Sequence, residues 1–415
     1  MKLELCDFPV RDVRFGPQTL FADGVLTINK EEMACRSNQD AFFSDVRIDI
    51  ARPNESTRII NVMDVMQPRF KDAPEGGPYP GTFSPMRLAG EGRTHVMQGV
   101  SVMQVGKRQG IQEGIIDMAG IGAGYSLFSS LFNIVLQCST SGETSTVEYD
   151  KASRKALAAA ALYLGETTRG MRPERVRTFC TDTSMARPLK KIVYIYYLQS
   201  QGPLRNTFVY GEEVTALLPT ILHPNEVLDG AIVSGNYIIA CQKNPTYLHL
   251  NNPVVLDLYA RHGQTLDFAG VVIANEHNTL FEKKRTAEFA AKLARQLGAE
   301  GVIMTQEGGG HADSDLMLCT DACAKLGLES VMLINELAGP QGDQPSLVDT
   351  TPLAKHVVST GNNDEVISLP AVEHLFGGTS LLNVPDASQP FKTALGRMYT
   401  ATNQFGVYRI TVAEF

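Results

Sequence analysis

The string QEGGGHADSD, residues 306 to 315, is the most informative local motif in this 415-residue chain. Glu307 falls at the end of a predicted strand, and three glycines let the backbone turn tightly and come close to a partner. Asp313 or Ser314 can cap the helix that follows. Backbone N–H groups at such a helix start suit a carboxylate or a phosphate. The dinucleotide fingerprint Gly-x-Gly-x-x-Gly is missing, so no nucleotide is predicted. His311, Asp313 and Asp315 stand at spacing two and are metal-compatible. Three readings stand side by side: helix caps and solvated acids, a substrate-binding loop, and a metal site. No metal is predicted, because side chains on a loop entering a helix need not point the same way. Arg261 and His262 in ARHG (260 to 263) follow a predicted helix and read as a C-terminal cap. Cys319 and Cys323 share a helix face and read as two small buried side chains rather than a redox pair. No Ser/His/Asp arrangement can be assigned.

The elements that must hold this motif show a regular alternation. TLDFAGVVIANE, EGVIMTQE and SVMLINE read as strands, with KKRTAEFAAKLARQLG and DSDLMLCTDACAKLGLE as helices between them. Strands and helices at this spacing form βαβαβ units over 266 to 334, hence a mostly parallel sheet with helices on both faces. Ligands in such sheets bind beyond the carboxyl ends of the strands. Those ends carry Glu276, Glu307 and Glu336, and the three loops are expected to converge on one edge. Residues 1 to 125 read as a strand-rich N-terminal domain of alternating and β-branched runs, and 126 to 415 as a layered α/β domain. KIVYIYYLQSQG is a strong strand and DKASRKALAAAALYLGETTRG an Ala-rich helix ending at Gly.

Composition excludes several classes. With 43% hydrophobic and 20% charged residues the chain is an ordinary globular protein. A net charge of -8 supplies no basic patch for nucleic acid. No run approaches the ~20 apolar residues of a membrane span, and MKLELCDFPVRDVRFG alternates where a signal peptide needs continuity, so a cytoplasmic protein is expected. Seven scattered cysteines without CxxC spacing argue against disulfides or a zinc ribbon.

The segment from Asp229 to Val254 reads as two apolar runs, around Ile232 and Ile238, broken by Ser234-Gly235-Asn236 and followed by Tyr237. Six strings, GRTHVMQG (92 to 99), QEGIIDMAG (112 to 120), YLQSQGPLRNTFVYG (197 to 211), DGAIVSGN (229 to 236), CQKNPTYLHLNNPVVLDLYARHG (241 to 263) and VVSTGNNDEVISLP (357 to 370), resemble the alpha/beta proprotein of component B of glycine, sarcosine and betaine reductases. The resemblance runs almost from end to end. It implies a subunit that binds an amine substrate and pairs with a selenoprotein-B-like or thiol-containing catalytic subunit, whose selenolate or thiolate attacks the substrate. In the glycine reductases it further implies self-cleavage before a cysteine that becomes a pyruvoyl group and forms an imine with the amine.

The family pattern is Ser-Gly-Asn-Cys, and here Tyr237 stands where that cysteine would be. Self-cleavage needs a thiol or hydroxyl that reaches its own backbone carbonyl and then leaves from Cβ. A phenol oxygen lies across a ring from that carbonyl and does neither. The chain is therefore expected to remain one uncut 45.2 kDa polypeptide without a pyruvoyl cofactor. A cut before Cys241, which matches another cysteine of the family, is the alternative. Without that carbonyl, a quaternary ammonium or another pre-activated group is the better substrate. Tyr237 either adds a cation–π contact of roughly 0.5–2 kcal/mol or simply fills the space of the lost cofactor. The resemblance and the loops together nominate Asn236, Tyr237, Cys241 and Glu307 as catalytic, and Glu276, His311, Asp313 and Glu336 as substrate-binding. A hetero-oligomeric enzyme subunit, a non-catalytic scaffold of the same complex, and a conventional pyruvoyl-dependent subunit cut elsewhere are the three functional readings.

Overall fold

The strand Lys191–Leu198 lies inside a seven-stranded sheet and is buried along almost its whole length. Its sequence KIVYIYYL is β-branched and aromatic on both faces, as an interior parallel strand requires. It pairs in parallel with Asp267–Asn275 on one side and Gly301–Thr305 on the other. Glu329–Glu336 and Val357–Asn362 continue the parallel run. Thr220–Leu222 and Thr411–Val412 close the two edges in antiparallel fashion. This computed structural model describes residues 1–73, 77–106, 113–182, 188–201, 207–235, 239–407 and 411–412.

Side chains alternate across that strand with period two, and the two faces meet different partners. Val193, Ile195 and Tyr197 pack on Ala287, Ala290, Ala291 and Ala294 of the helix Leu280–Gln296 and on Leu316, Cys319 and Cys323 of the helix Asp313–Lys325. The alanine stripe allows helix and sheet to approach closely. Tyr194, Tyr196 and Leu198 join Val255 and Leu258 of the helix Pro253–Arg261 in a cluster that also takes in Leu3, Leu5, Val65, Val96 and Met103. One face is thus covered by the two crossover helices, and the other by a helix together with the N-terminal strands.

Two four-stranded sheets make up most of the N-terminal half. Leu3–Pro9 lies between Arg175–Phe179 and Gly92–Gln98. Phe132–Ser139 lies between Asp45–Ala51 and Val100–Val105. These pairings straddle the domain boundary expected at residue 125, so the strand-rich part continues to Phe179. The Ala-rich helix Thr146–Gly165 packs its small residues in this part and is capped by Ser145, whose hydroxyl accepts from Glu148 N–H at 3.3 Å.

A buried ion pair ties the C-terminal region to the N-terminal strands. Arg58 donates to Asp117 through Nε at 2.6 Å and Nη2 at 2.8 Å, and both side chains are fully buried. Its remaining N–H groups reach the carbonyls of Ala387 at 2.6 Å and Pro370 at 2.9 Å. The strand His374–Phe376 pairs in parallel with Thr57–Ile59 beside it. The value of the pair lies in its completeness, since either group alone would be an uncompensated buried charge. Arg58→Met should therefore destabilise the chain by about 3–5 kcal/mol in urea unfolding, and Arg58→Met with Asp117→Leu by distinctly less. Equal losses in the single and double variants would show that the pairing does not matter.

Candidate functional site

Parallel pairing brings three strand ends to one edge. Leu198 is in register with Asn275, and Tyr196 with Thr305, so Gln199, Glu276 and Glu307 leave the sheet as neighbours. Glu307 is 1% exposed. Its Oε2 accepts from Gln199 N–H at 2.7 Å and from the Thr207 hydroxyl at 2.6 Å, and its own N–H donates to Glu276 Oε1 at 2.9 Å. It lines a cleft of about 310 Å³ together with Gln199, Gln201, Ile239, Asn278 and His311. The glycines after it are needed for two reasons. Gly308 and Gly310 have φ of 95° and 73°, the left-handed region. Gly309 is extended, but a Cβ there would sit 3.0 Å from both Asn335 Nδ2 and Gln242 Nε2.

Behind Glu307 lies a buried polar network built from the segment after the Ser-Gly-Asn break. His249 Nε2 stands 3.6 Å from Glu307 Oε1, a polar contact longer than a hydrogen bond. His249 Nδ1 is 2.7 Å from the Tyr196 hydroxyl, which also accepts from Asn244 Nδ2 at 3.2 Å. The Tyr196 hydroxyl thus links Asn244 to His249, whose Nε2 faces Glu307. Asn403 Nδ2 fixes Asn244 by donating to its Oδ1. Lys243, fully buried, donates to the carbonyls of Met63 and Gly235, the latter at 3.2 Å. Asp64 accepts from the N–H and hydroxyl of Thr246 at 2.9 and 2.7 Å, and Thr246 Oγ1 accepts from Ser234 N–H at 3.0 Å.

Burial sets the protonation states. It pushes the Glu307 carboxyl up to about 7, against the lowering effect of its hydrogen bonds from Gln199 and Thr207. It pushes His249 down to about 3, with the Lys243 ammonium adding to the effect, so the ring is neutral. Burial also raises Asp64 above its ordinary value, despite Lys243 and Thr246. A neutral imidazole beside a carboxyl that titrates near neutrality is an arrangement able to hold or release one proton at the cleft floor.

The structure sorts the residues nominated from sequence. Glu307 and His311 line the cleft. Glu276 and Asp313 are buried beneath it. Asp313 does not cap its helix, nor does Ser314: the N-cap position is Ala312. Instead Asp313 accepts from Gln306 Nε2 at 2.8 Å and from Val348 N–H at 3.1 Å, which fastens the loop. Glu336 does not join the other two glutamates. Strand alternation turns Asn335 toward Gly309 and Gln404, while Glu336 pairs with the hydroxyls of Ser359 and Ser346. Asp315 turns to Lys283 and His311 is exposed, so the spacing-two acids diverge. Among the described residues no group of three or more His, Cys, Asp or Glu could hold a metal. Cys241 is fully buried, donates to Asn363 Oδ1 at 3.3 Å, and has its thiol pushed up to about 12 by burial. Asn236 and Tyr237 lie outside the described residues, between Gly235, whose carbonyl Lys243 holds, and Ile239 on the cleft.

Asp64, Tyr196, Lys243, Asn244 and His249 were not singled out from sequence. For Lys243, Asn244 and His249 a signal exists in CQKNPTYLHL, where Lys, Asn, Thr and His stand between apolar runs. A buried segment keeps such side chains only when each finds a partner.

A mixed α/β protein with a cleft at the carboxyl edge of a largely parallel sheet is the class these observations define. Residues 1–395 match the family of glycine/sarcosine/betaine reductase component B subunits, and the chain belongs to that family. It is 41% identical over 382 residues to the glycine reductase complex component B subunits alpha and beta of Peptoclostridium acidaminophilum, covering 91% of this chain and 89% of the relative. The sarcosine reductase complex component B subunit alpha of the same organism is 38% identical over 382 residues, covering 91% of this chain and 89% of the relative. Its betaine reductase complex component B subunit alpha is 38% identical over 390 residues, covering 91% and 88%. No solved structure matches the chain.

The raised Glu307 carboxyl has a consequence for stability. The folded chain keeps a proton up to about pH 7 that the unfolded chain releases near the ordinary 4.5. Stability contributed by this group is full below that ordinary value and is lost as pH rises through about 7, a change on the order of 3 kcal/mol. Urea unfolding at pH 5 and pH 8 should show wild type losing stability over this interval and Glu307→Gln losing less. Parallel pH dependence in the two proteins would mean that Glu307 titrates as an ordinary surface acid.

Proposed function

We propose that this chain is an uncut subunit of a glycine/sarcosine/betaine reductase-like complex, in which it shapes the site for a small amine substrate while a partner chain supplies the attacking selenolate or thiolate. The observation that carries this reading is the buried Glu307 carboxyl on the cleft, poised near neutrality and backed by His249, Tyr196 and Asn244. In the reaction the partner's nucleophile forms a bond to the substrate carbon as the carbon–nitrogen bond breaks. The bonding pair leaves with nitrogen. A quaternary ammonium departs as a neutral tertiary amine and needs no proton. A primary or secondary amine leaves well only with a proton, which Glu307 is placed to hold on the cleft floor.

Two observations support an uncut chain. Tyr237 cannot perform the acyl shift, for the reasons its side chain imposes. Cys241, the nearby thiol, is held protonated by burial and bonded to Asn363, and the Ala240 carbonyl it would have to attack is engaged by Thr400 N–H at 2.9 Å. The residues present therefore do not fit a pyruvoyl precursor. Sarcosine and betaine reductase relatives are named as a subunit alpha, and glycine reductase relatives as subunits alpha and beta.

Intact mass spectrometry should return one 45.2 kDa species that carbonyl reagents do not label, whereas two fragments with a labelled downstream half would end this reading. With the partner chain present, Glu307→Gln should lower kcat for a secondary amine by about 10²–10⁴-fold and spare a quaternary ammonium. Unchanged turnover of both would favour a non-catalytic scaffold.

A further inference from the structure

The cleft opens to solvent between lining residues that are themselves exposed, Ile239, Asn278 and His311. Apolar side chains from three separate segments stand exposed around this mouth. Ile239 is 37% exposed. Leu280 and Phe281, which follow Asn278 at the start of the helix Leu280–Gln296, are 59% and 75% exposed. Val348 comes from the segment between the strands Glu329–Glu336 and Val357–Asn362 and is 68% exposed. Its N–H donates to Asp313 at 3.1 Å, and its Cγ2 lies 3.7 Å from where a Cβ on Gly310 would stand. Gly310 sits between Gly309 and His311, both on the cleft. A single exposed apolar residue is ordinary, but four gathered at one opening are the mark of a surface that another molecule covers.

The helix that carries Leu280 and Phe281 is basic, in a chain whose net charge is -8. Lys283 is buried and paired with Asp315. Lys284, Arg285, Lys292 and Arg295 remain, against Glu282 and Glu288. Glu282 is drawn back to the helix start by the Thr279 hydroxyl at 2.7 Å. Arg285 lies 6.0 Å over the ring of Phe281, and Lys292 lies 5.4 Å over that of Phe289, so aromatic and cationic groups share one side of the helix. Such a face complements a protein surface with acidic side chains around an apolar centre. A basic amphipathic helix also suits an anionic membrane. A membrane, however, brings no nucleophile to Glu307.

We propose that this rim, Ile239, Leu280, Phe281 and Val348 with the basic side chains of the helix, is the docking surface for the chain that supplies the attacking selenolate or thiolate. The assignment rests on the functional reading above. A nucleophile from another chain reaches a substrate beside Glu307 only through the mouth, so the segment that bears it must pass these four side chains. Docking there covers the exposed apolar groups and excludes water from above Glu307. Acidic residues of the partner then stand against Lys284, Arg285 and Lys292, where they speed the encounter, while the apolar contacts at the mouth hold the complex together.

Calorimetric titration of the full-length chain with the selenoprotein-B-like partner chain, its nucleophilic residue replaced by serine, reads docking without turnover. Phe281→Glu and Val348→Glu, each checked as folded by circular dichroism, should raise Kd by about 10- to 100-fold. Lys284→Glu combined with Lys292→Glu should raise Kd at about 50 mM salt and flatten its dependence on salt up to about 300 mM. Val176→Glu, at an exposed apolar position on the strand Arg175–Phe179 of the N-terminal half, should leave Kd unchanged. Wild-type affinity in the rim variants, or an equal loss in Val176→Glu, would overturn the docking surface and leave the functional reading standing, whereas no binding by wild type would overturn both. Sedimentation of the chain alone and flotation with phosphatidylserine vesicles test the other occupants. A dimer that Phe281→Glu splits, or vesicle binding that it abolishes, with partner affinity unchanged, would assign the rim to a second copy or to a membrane instead.

Discussion

Removing one carboxyl from water is the constraint on which the site depends. Glu307 sits beyond a strand end, shut off by Gln199, Thr207 and the packed ring of His249, and the cost of charging it there outweighs three local interactions that favour the charge. A surface glutamate in the same cleft would be ionised throughout the physiological range and useless as a proton donor. Everything that keeps Glu307 dry therefore contributes to its chemistry: the doubly buried central strand, the alanine-lined crossover helix, and the N-terminal strands pressed against the opposite face.

The same burial imposes costs elsewhere, and the fold meets them with partners. Lys243 and Asp64 bring opposite charges into the interior and are matched by backbone carbonyls, by Thr246 and by each other's field. Arg58 and Asp117 are fully satisfied in the same manner at a point remote from the cleft. Charged pairs of this kind add little net stability compared with apolar packing, but they make wrong arrangements expensive. Lys243 is the most instructive, because it holds the Gly235 carbonyl two residues before Tyr237, where the sequence resemblance leads one to expect a cysteine.

Much of the fold is legible in the sequence, for identifiable reasons. The βαβαβ region announces itself because short continuous apolar runs alternate with longer helical segments over 266 to 334, and a parallel sheet follows from those lengths. The strand Phe132–Ser139 is equally clear as an element, but its partners Asp45–Ala51 and Val100–Val105 are not, because pairing between distant segments leaves no local trace. That is why the structural continuity across residue 125 is invisible from composition. At the site, the place of Glu307 is legible because it follows a strand and precedes three glycines. Glu336 satisfies the same rule yet points elsewhere, since one step along a strand reverses the face. His249 and Lys243 were missed because their partners include Tyr196 and Met63, which lie far away in sequence.

Family membership and site geometry bear on different questions. The match over residues 1–395 fixes the kind of complex, while the substitution at 237 and the buried thiol at 241 bear on how this member works within it. The chemistry proposed for the cleft depends in the end on whether a dry carboxyl there is poised to exchange a proton. Carbon-13 NMR of chain labelled at glutamate side-chain carboxyls, with the Glu307 resonance assigned by its loss in Glu307→Gln, measures this directly. The account predicts a titration midpoint near 7 for that resonance. A midpoint at or below the ordinary 4.5 would contradict it.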